Sequence, residues 1–365
     1  MEKGIPFYIS TLMANIHHLI LGLMQATFSK HRLKFKLPSG TSRGVLTTKN
    51  SWFIILSEAD RKGVGECSLI KGLSPDDTLD FENKLTDLCK AINKKTLLPD
   101  LEKWPAIRMG FETALLDLKH VISHQLFPSD FAMGAANIPI NGLVWMGTFE
   151  NMNEQIKSLL KRDFNCIKLK IGAIDFDQEL QLLAKIRKEF SAQDIIIRVD
   201  ANGAFTSDNA LEKLKRLSDF ELHSIEQPIA PNQWESMAAL CELSPLSIAL
   251  DEELIGHYSV DVQRDLLQKI KPTFIILKPS LLGGFTASQQ WITTAQKEGI
   301  GWWVTSALES NVGLNAIAQW TYNQSFTGHQ GLGTGSLFTN NIDSPLYIDK
   351  GCLWVDNLIP WGKIS

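Results

Sequence analysis

The chain has 365 residues, of which 44% are hydrophobic and 21% charged, an ordinary composition for a soluble globular protein. A formal net charge of −4 gives no electrostatic reason to expect nucleic acid or an anionic membrane as a partner. The five cysteines are scattered and have no CxxC spacing, so neither a disulfide framework nor a zinc site is predicted. Reduced thiols and a cytoplasmic location are the simpler expectation.

The first 23 residues form the least typical segment. Residues 5–23 are apolar but carry His17 and His18, and such a run is marginal for a membrane span. The segment also lacks the basic start and the small-residue cleavage site of a signal peptide. We therefore expect residues 1–23 to be an extension or a misassigned start, with translation beginning at Met24, and we expect no stable membrane association.

Residues 24–130 predict an α+β domain without a repeat. Residues 27–36 alternate polar and apolar side chains, as a half-exposed strand does. Residues 45–48 and 52–57 are also typical of strands, with a turn expected at Lys49 and Asn50, and residues 63–68 follow as a further edge. Helices are expected from about Asp76 and over residues 105–120, where Pro105 suits a first helical turn.

Residues 135–333 predict a repeating α/β domain. From Ile138 onward, short runs rich in Ile and Val alternate with amphipathic segments of helical length. Such strands belong to a parallel sheet that is buried on both faces. Seven repeats and a short last strand near 327–331 would close into a barrel of the (β/α)7β type. Residues 334–365 do not continue the repeat, and we expect them to return toward the first domain.

Charged residues end five of the predicted barrel strands. They follow one another at steps of 30, 26, 25 and 27 residues: Lys170, Asp200, Glu226, Asp251 and Lys278. Each acid alone is more simply interpreted as a helix N-cap or a surface group, but three at matching positions of a repeat would converge at one end of a barrel. Three carboxylates in a cleft repel one another, and their oxygens suit a hard divalent cation, Mg²⁺ above all.

Two lysines precede the acids on one strand. Lys168 and Lys170 are two residues apart, so their side chains point the same way. On an edge strand such a pair is a solvated face, but this strand is central and otherwise apolar. Burial and like charge both lower a lysine pKa, so we expect one of the two to serve as a base near neutral pH. Lys278 would face them across the cation, an arrangement that suits removal of a proton alpha to a carboxylate.

In their order along the chain, these motifs resemble one known family. K-x-K, D-A-N-G, E-Q-P, D-E and K-P are similar to the enolase superfamily and its muconate-lactonizing-enzyme-like subgroup, over essentially everything after Met24. The resemblance implies an enolase-like α/β fold, in which an N-terminal α+β capping domain accompanies a modified (β/α)7β barrel of the TIM type. Residues 38–44, 198–205, 277–284, 306–310 and 331–335 are most similar to the dehydratases of menaquinone biosynthesis, which are carbon-oxygen lyases.

The resemblance also implies roles for single residues. Asp200, Glu226 and Asp251 would hold Mg²⁺, for which Mn²⁺ could substitute. Lys170 would remove the alpha proton of a small carboxylate substrate and return it to the departing hydroxyl in a syn elimination, while Lys278 would stabilise the enediolate from the opposite face. The positions that would contact substrate are Lys168, Arg198, Ser306, Gly331 and Ser42. An alternative for Arg198 is that it only orients a ligand, and for Ser306 that it caps the following helix.

Two other functions stay open at this stage. Lysines on both faces of a substrate would serve an N-succinylamino acid racemase or a dipeptide epimerase of the same subgroup equally well. Epimerases of this kind usually carry Asp-x-Asp near the last strand, where this chain has Gly331-Leu-Gly-Thr. A non-catalytic binding scaffold of the same fold would be expected to lack one of the lysines or acids, and all five are present.

Overall fold

The structure is a computed structural model that describes residues 24–41 and 44–364. Its first sheet is antiparallel and consists of β1 (Gln25–Thr41), β2 (Gly44–Glu58) and β3 (Arg61–Ser68), in the order β1-β2-β3. Two helices follow, Phe81–Lys94 and Pro105–Lys119, and both pack on this sheet. The prediction for residues 1–23 lies outside the described residues.

The turn expected at Lys49 and Asn50 is wrong, because β2 runs straight through both residues. Lys49 pairs with Leu33 of β1 and Asn50 with Arg32. The Lys49 side chain is buried, and its ammonium donates to the hydroxyls of Ser51 and Ser68 at 3.1 and 2.5 Å. Polar residues that resemble a turn in the sequence are thus accommodated inside a long strand by neighbouring hydroxyl groups.

The second sheet is parallel and contains seven strands in the order β11-β10-β9-β8-β7-β6-β5. After β4 (Ile138–Pro139), these strands are β5 (Gly142–Val144), β6 (Cys166–Lys170), β7 (Ile196–Asp200), β8 (Ser224–Glu226), β9 (Ile248–Leu250), β10 (Phe274–Leu277) and β11 (Gly301–Val304). The helices of the repeats are Phe149–Lys161, Phe176–Glu189, Ser207–Ser218, Trp234–Leu243, Val260–Ile270, Pro279–Leu282, Gly284–Lys297 and Asn311–Tyr322, and short 3-10 turns span Glu252–Leu254 and Thr334–Leu337.

The barrel closes through a short segment at Gln330 and Gly331. Gly331 forms a parallel bridge with Thr305, which follows β11, and Gln330 forms one with Ile140, which precedes β5. The side chain of Gln330 also accepts a hydrogen bond from Val304 N at 2.8 Å. The predicted barrel of seven repeats with a short last strand is confirmed.

Alternating side chains on each barrel strand separate two environments. In β7, Ile197 and Val199 are fully buried against the surrounding helices, whereas Arg198 and Asp200 point to the barrel interior. Burial on both faces explains why the strands are so rich in Ile and Val. Among the described residues, no helix is both long enough and apolar enough to cross a membrane.

The C-terminal segment touches both parts of the molecule. Its two strands, β12 (Leu346–Asp349) and β13 (Cys352–Val355), form an antiparallel hairpin, and β13 pairs with β4 beside the barrel. Earlier in the segment, Phe338 bridges Phe35 of β1. This path ties the first sheet to the end of the barrel next to β5.

Candidate active site

Strand register brings the charged strand ends together. Lys170 of β6 pairs with Asp200 of β7, and Asp200 pairs with Glu226 of β8. Asp251 follows β9 directly and Lys278 follows β10, at the same end of the parallel sheet. The carboxyl ends of parallel barrel strands form one rim, and these five side chains therefore share the mouth of the barrel.

Lys168 lies at the centre of the group. Its ammonium is 2.9 Å from Asp200 Oδ2, and it also donates to Glu226 Oε2. Both carboxylates are buried, and Lys168 itself is only 9% exposed. The arrangement makes Lys168 the internal counter-ion of two strand-end acids rather than a residue at the cavity surface alone.

Lys170 is held by two neighbours. Its Nζ donates to Asp200 Oδ2 at 3.1 Å and to Asn202 Oδ1 at 2.7 Å. Asn202 adopts a left-handed backbone conformation with φ 45°, which asparagine tolerates better than most residues, and its side-chain amide donates to Glu252 at 3.0 Å. Asn202 belongs to the D-A-N-G motif, for which the sequence predicts no separate role for the asparagine. Its position two residues after Asp200 is the feature of the sequence that could have indicated its contact with Lys170.

Lys278 contacts the third acid from the other side, since its Nζ donates to Asp251 Oδ2. The backbone around Asp251 is fixed by Gln227, whose side-chain oxygen accepts from the amides of Asp251 and Glu253, both at 3.2 Å. Gln227 is fully buried and has φ 40°. It explains the glutamine of the E-Q-P motif as a residue that positions the following acid, a role that the sequence alone did not reveal.

The pKa directions correct one expectation. Burial acts to lower the pKa of Lys168, but the carboxylates of Asp200, Glu226 and Asp251 together raise it above its ordinary value. The balance at Lys278 has the same sign, with Asp251 as the main carboxylate. Of Lys168 and Lys170, one of which was expected to have a lowered pKa, Lys168 does not have one, because nearby acids outweigh burial and like charge.

The acids do not form a bare metal cage. Across residues 24–41 and 44–364, no three His, Cys, Asp or Glu side chains stand close enough to hold a metal ion as they are placed. Lysine ammonium groups lie against the carboxylates instead. The donor chemistry still fits a hard cation, since Glu226 Oε1 is buried without a hydrogen-bond partner in the described part of the chain. Burial, followed by repulsion from Asp200, raises the pKa of Glu226 well above its usual value, a cost that a further cation would relieve.

A cavity of about 740 Å³ opens at this end of the barrel. Lys168, Lys170, Asp200 and Lys278 line its charged side, and Asn202 and Glu252 lie beside them. Its apolar wall comes from the first sheet, the loop after β3 and several barrel loops: Val45, Leu46, Ile70, Leu143, Trp145, Leu308 and Leu337. The cavity thus combines a cluster of amines and carboxylates with a surface suited to a ring or an aliphatic arm.

Three of the five predicted substrate contacts, Lys168, Ser306 and Gly331, line the cavity. Ser306 is held by a 2.6 Å hydrogen bond with the hydroxyl of Thr334, and the helix Asn311–Tyr322 is capped by Ser310 rather than by Ser306. Gly331 packs against Thr305 so closely that an added Cβ would lie 2.2 Å from the Thr305 hydroxyl. Only glycine allows this approach at the closing seam of the barrel.

The other two predicted contacts, Arg198 and Ser42, have different outcomes. Arg198 is not among the lining residues; its guanidinium stacks 4.1 Å from the centre of the Trp303 ring and donates to His329 O at 2.9 Å. Arg198 is on the same face of β7 as Asp200, but it precedes Asp200 by two residues and therefore lies further from the mouth of the barrel. Ser42 falls outside the described residues.

Comparisons with known proteins agree with this geometry. The family described as "Enolase C-terminal domain-like" matches residues 151–359. An o-succinylbenzoate synthase of Desulfotalea psychrophila is 49% identical over 91% of this chain and 99% of its own length. The crystal structure of MenC from Desulfotalea psychrophila LSv54 superposes with a TM-score of 0.82 and covers 91% of this chain and 99% of the other.

More distant relatives share the fold. A D-Ala-D/L-Ala epimerase of Cytophaga hutchinsonii is 26% identical over 81% of this chain and 82% of its own length. The structure of a dipeptide epimerase from Cytophaga hutchinsonii, complexed with Mg and a dipeptide, has a TM-score of 0.77 at 20% identity and covers 93% of this chain and 95% of the other. By the extent and identity of the first match, the chain belongs to the o-succinylbenzoate synthase family of the enolase superfamily.

Proposed function

We propose that the chain catalyses the Mg²⁺-dependent syn dehydration of 2-succinyl-6-hydroxy-2,4-cyclohexadiene-1-carboxylate to 2-succinylbenzoate, a step of menaquinone biosynthesis. The observation that carries the proposal is that Lys170 and Lys278, from different strands, line one cavity together with Asp200. A base and a second cation around one bound carboxylate are what removal of its alpha proton requires. The relative from Desulfotalea psychrophila supports the substrate class.

We assign the metal to Asp200, Glu226 and Asp251. Three carboxylates on successive strands, one of them with an unpartnered buried oxygen, have the oxygen chemistry that Mg²⁺ prefers. Bound Mg²⁺ supplies positive charge that stabilises the second negative charge of an enediolate. In the structure Lys168 and Lys278 contact the same carboxylates, and they would share them with the metal.

Lys170 acts as the base and then as the acid. In its neutral form, Nζ takes the alpha proton, and the electrons of the broken C–H bond pass into the ring carboxylate to give the enediolate. The enediolate then expels the hydroxyl of the neighbouring carbon, which leaves as water with the proton that Lys170 carries. Hydrogen and hydroxyl depart from the same face, so one lysine performs both transfers and the ring becomes aromatic.

The cavity lining positions the base and offers surfaces to the other parts of the substrate. The hydrogen bonds of Lys170 to Asp200 and Asn202 fix its amine at the cavity wall, which favours a productive geometry. Lys278, which follows β10, would lie on the face of the substrate opposite to Lys170, where its charge stabilises the enediolate. We assign the succinyl arm to the surface formed by Ser306, Gly331 and the apolar side chains beside them.

The test is direct. Purified protein is given the cyclohexadiene substrate with Mg²⁺ and, in parallel, N-succinyl amino acids, and formation of the aromatic product and loss of optical rotation are followed. We expect rapid dehydration that stops when a chelator removes the metal. Absence of aromatic product at any Mg²⁺ concentration would overturn the proposal.

N-succinylamino acid racemisation is a second candidate activity. It is favoured by the same two lysines, since a proton taken by one amine could be returned to the opposite face by the other. An N-succinyl-L-Arg/Lys racemase of Bacillus cereus is 26% identical over 49% of this chain. Use of Mn²⁺, the cytoplasmic location and the absence of a nucleic-acid partner stay predictions from the sequence.

A further inference from the structure

A second cavity of about 730 Å³ adjoins the active-site cavity on the side of the first sheet. The two cavities share four wall residues: Leu46, Ile70, Lys71 and Leu308. The rest of the second cavity is formed mainly by β1 and β2, which contribute Lys30, Arg32, Thr48, Lys49, Asn50 and Trp52. A molecule in this cavity would therefore be separated from the strand-end lysines only by the shared wall.

Lys49 is the unusual residue of this second cavity. It is only 6% exposed, and the hydrogen bonds of its ammonium go to two neutral hydroxyls, those of Ser51 and Ser68. The nearest carboxylate along this network, Glu66, is one hydroxyl further away, and it already accepts from Ser51, Ser310 and Gly313. Burial lowers the pKa of Lys49, while Glu66 and Glu309 raise it by less.

The rim of the cavity adds further positive charge. Arg32 and Lys71 are exposed at its wall, and Arg32 donates to the Thr48 hydroxyl at 3.2 Å. Lys30 also lines the cavity, and its ammonium is 2.9 Å from the carboxylate of Glu82, which lies outside the lining. The one carboxylate of the lining is Asp77, which accepts from the amide of Gly72 at 3.0 Å. Glu82 offsets Lys30 and Asp77 offsets one further charge, so the described lining keeps an excess of basic over acidic groups.

We propose that the second cavity is an anion-binding vestibule, which receives the carboxylate groups of the substrate before they enter the adjoining active-site cavity. The identity of the anion rests on the proposed function, because that substrate carries two carboxylates. A buried ammonium that has a donor to spare and only neutral partners gains most from an anionic ligand. Cations lining a cleft also raise the local concentration and the association rate of anions.

Steady-state kinetics of rim variants tests the vestibule. Arg32→Ala, the rim variant, removes a rim charge that does not line the active-site cavity, and Lys188→Ala removes an exposed charge from a barrel helix as a matched control. We expect the rim variant to lose about tenfold in kcat/KM at low ionic strength with kcat unchanged, and the deficit to shrink in high salt. Identical kcat/KM and salt dependence in the rim and control variants would overturn the vestibule.

A binding measurement separates this inference from the proposed reaction. Succinate serves as the probe anion in a calorimetric titration of wild type, the rim variant and Lys49→Met. We expect binding to wild type and the control, and weaker binding to the rim variant and Lys49→Met. If succinate binds in this pattern but no dehydration occurs, the proposed function fails and the vestibule stands. Equal succinate affinity in the rim variant and the control would contradict the vestibule even if Lys49→Met did not fold.

Discussion

Two buried lysines in this molecule have opposite surroundings. Lys168, in the barrel, contacts the carboxylates of Asp200 and Glu226, whereas in the described part of the chain the ammonium of Lys49, in the first sheet, donates to the hydroxyls of Ser51 and Ser68. Both residues are less than one tenth exposed. The pKa of Lys168 is raised by its acids and the pKa of Lys49 is lowered by burial.

The difference shows that burial alone does not set the charge state of an amine. A lysine among carboxylates is a counter-ion, which holds together acids that would otherwise repel one another. A lysine among hydroxyls keeps an unsatisfied positive field, which is available to a ligand. This contrast is the basis for proposing a metal ion at the barrel centre and an anion in the second cavity.

Replacing Lys170 should produce the largest change in activity and show that catalysis takes place at the barrel centre. Lys170→Ala removes the base, so we expect kcat for dehydration to fall roughly 10²–10⁴-fold. The melting temperature should stay close to that of wild type, and Lys188→Ala should retain full activity as the control. Turnover at the wild-type rate would remove Lys170 from the role of base.

Methionine substitutions of the two buried lysines test the comparison itself. Lys168→Met leaves Asp200 and Glu226 without their shared cation, and we expect the free energy of unfolding to fall by about 3–5 kcal/mol without Mg²⁺. Lys49→Met removes a buried charge that has only neutral partners, so a change of about 1 kcal/mol is expected. Denaturant unfolding with added chelator measures both, and equal losses would refute the distinction.

Removal of one strand-end acid tests the metal assignment. Asp200→Asn should weaken Mg²⁺ binding and lower activity together, because one carboxylate of the proposed set is lost. Asp60→Asn, at an exposed turn of the first sheet, is the matched control. Calorimetric titration with Mg²⁺ gives the affinity, and an unchanged value in Asp200→Asn would exclude it from the ligand set.

Replacing Glu179, a buried acid that accepts hydrogen bonds from backbone amides, should have the smallest effect on stability. Glu179 accepts from the amide of Gly172 at 2.6 Å, and burial raises its pKa to about 7. The folded state therefore holds a proton that the unfolded chain has already lost between pH about 4.5 and about 7. Stability should fall as pH rises through that window and level off above it.

The variant Glu179→Gln should reduce this slope, as measured by melting temperature from pH 5 to pH 8. Asp76, whose pKa burial also raises to about 7, remains in the variant, so part of the slope should persist. An unchanged slope would show that Glu179 is ionised across the whole window.

Much of the barrel was predictable because its geometry is periodic. One strand and one helix take nearly constant length, so the spacing of Asp200, Glu226 and Asp251 is enough to predict that they lie at one rim. The alternation of side chains likewise placed Lys168 and Lys170 on one face, as the structure has them. Short-range periodicity carries this information without knowledge of packing.

Other features depend on contacts between distant residues. Arg198 is on the same face of β7 as Asp200. The alternation of side chains along a strand does not indicate how far a residue lies from the barrel mouth, and the stacking of Arg198 on Trp303 could not be predicted from the sequence. The shift of the lysine pKa values depends on how many acids surround each amine, which strand order alone does not give. Lys49 looked like a turn residue because the hydroxyl of Ser68 that accepts from it is 19 residues away.

The closing seam at Gln330 and Gly331 has a consequence for dynamics. One bridged pair joins it to Thr305 on one side and one to Ile140 on the other, each with two backbone hydrogen bonds, whereas β6 and β7 share five paired positions. Transient local opening should therefore need less free energy here than between β6 and β7, and the amide of Gly331, which donates to Val304 O, should exchange its hydrogen faster than those of β7. Because Ser306 and Gly331 also line the cavity, a bound substrate in contact with both would slow that exchange, and hydrogen exchange at the seam would thus report whether the barrel is occupied.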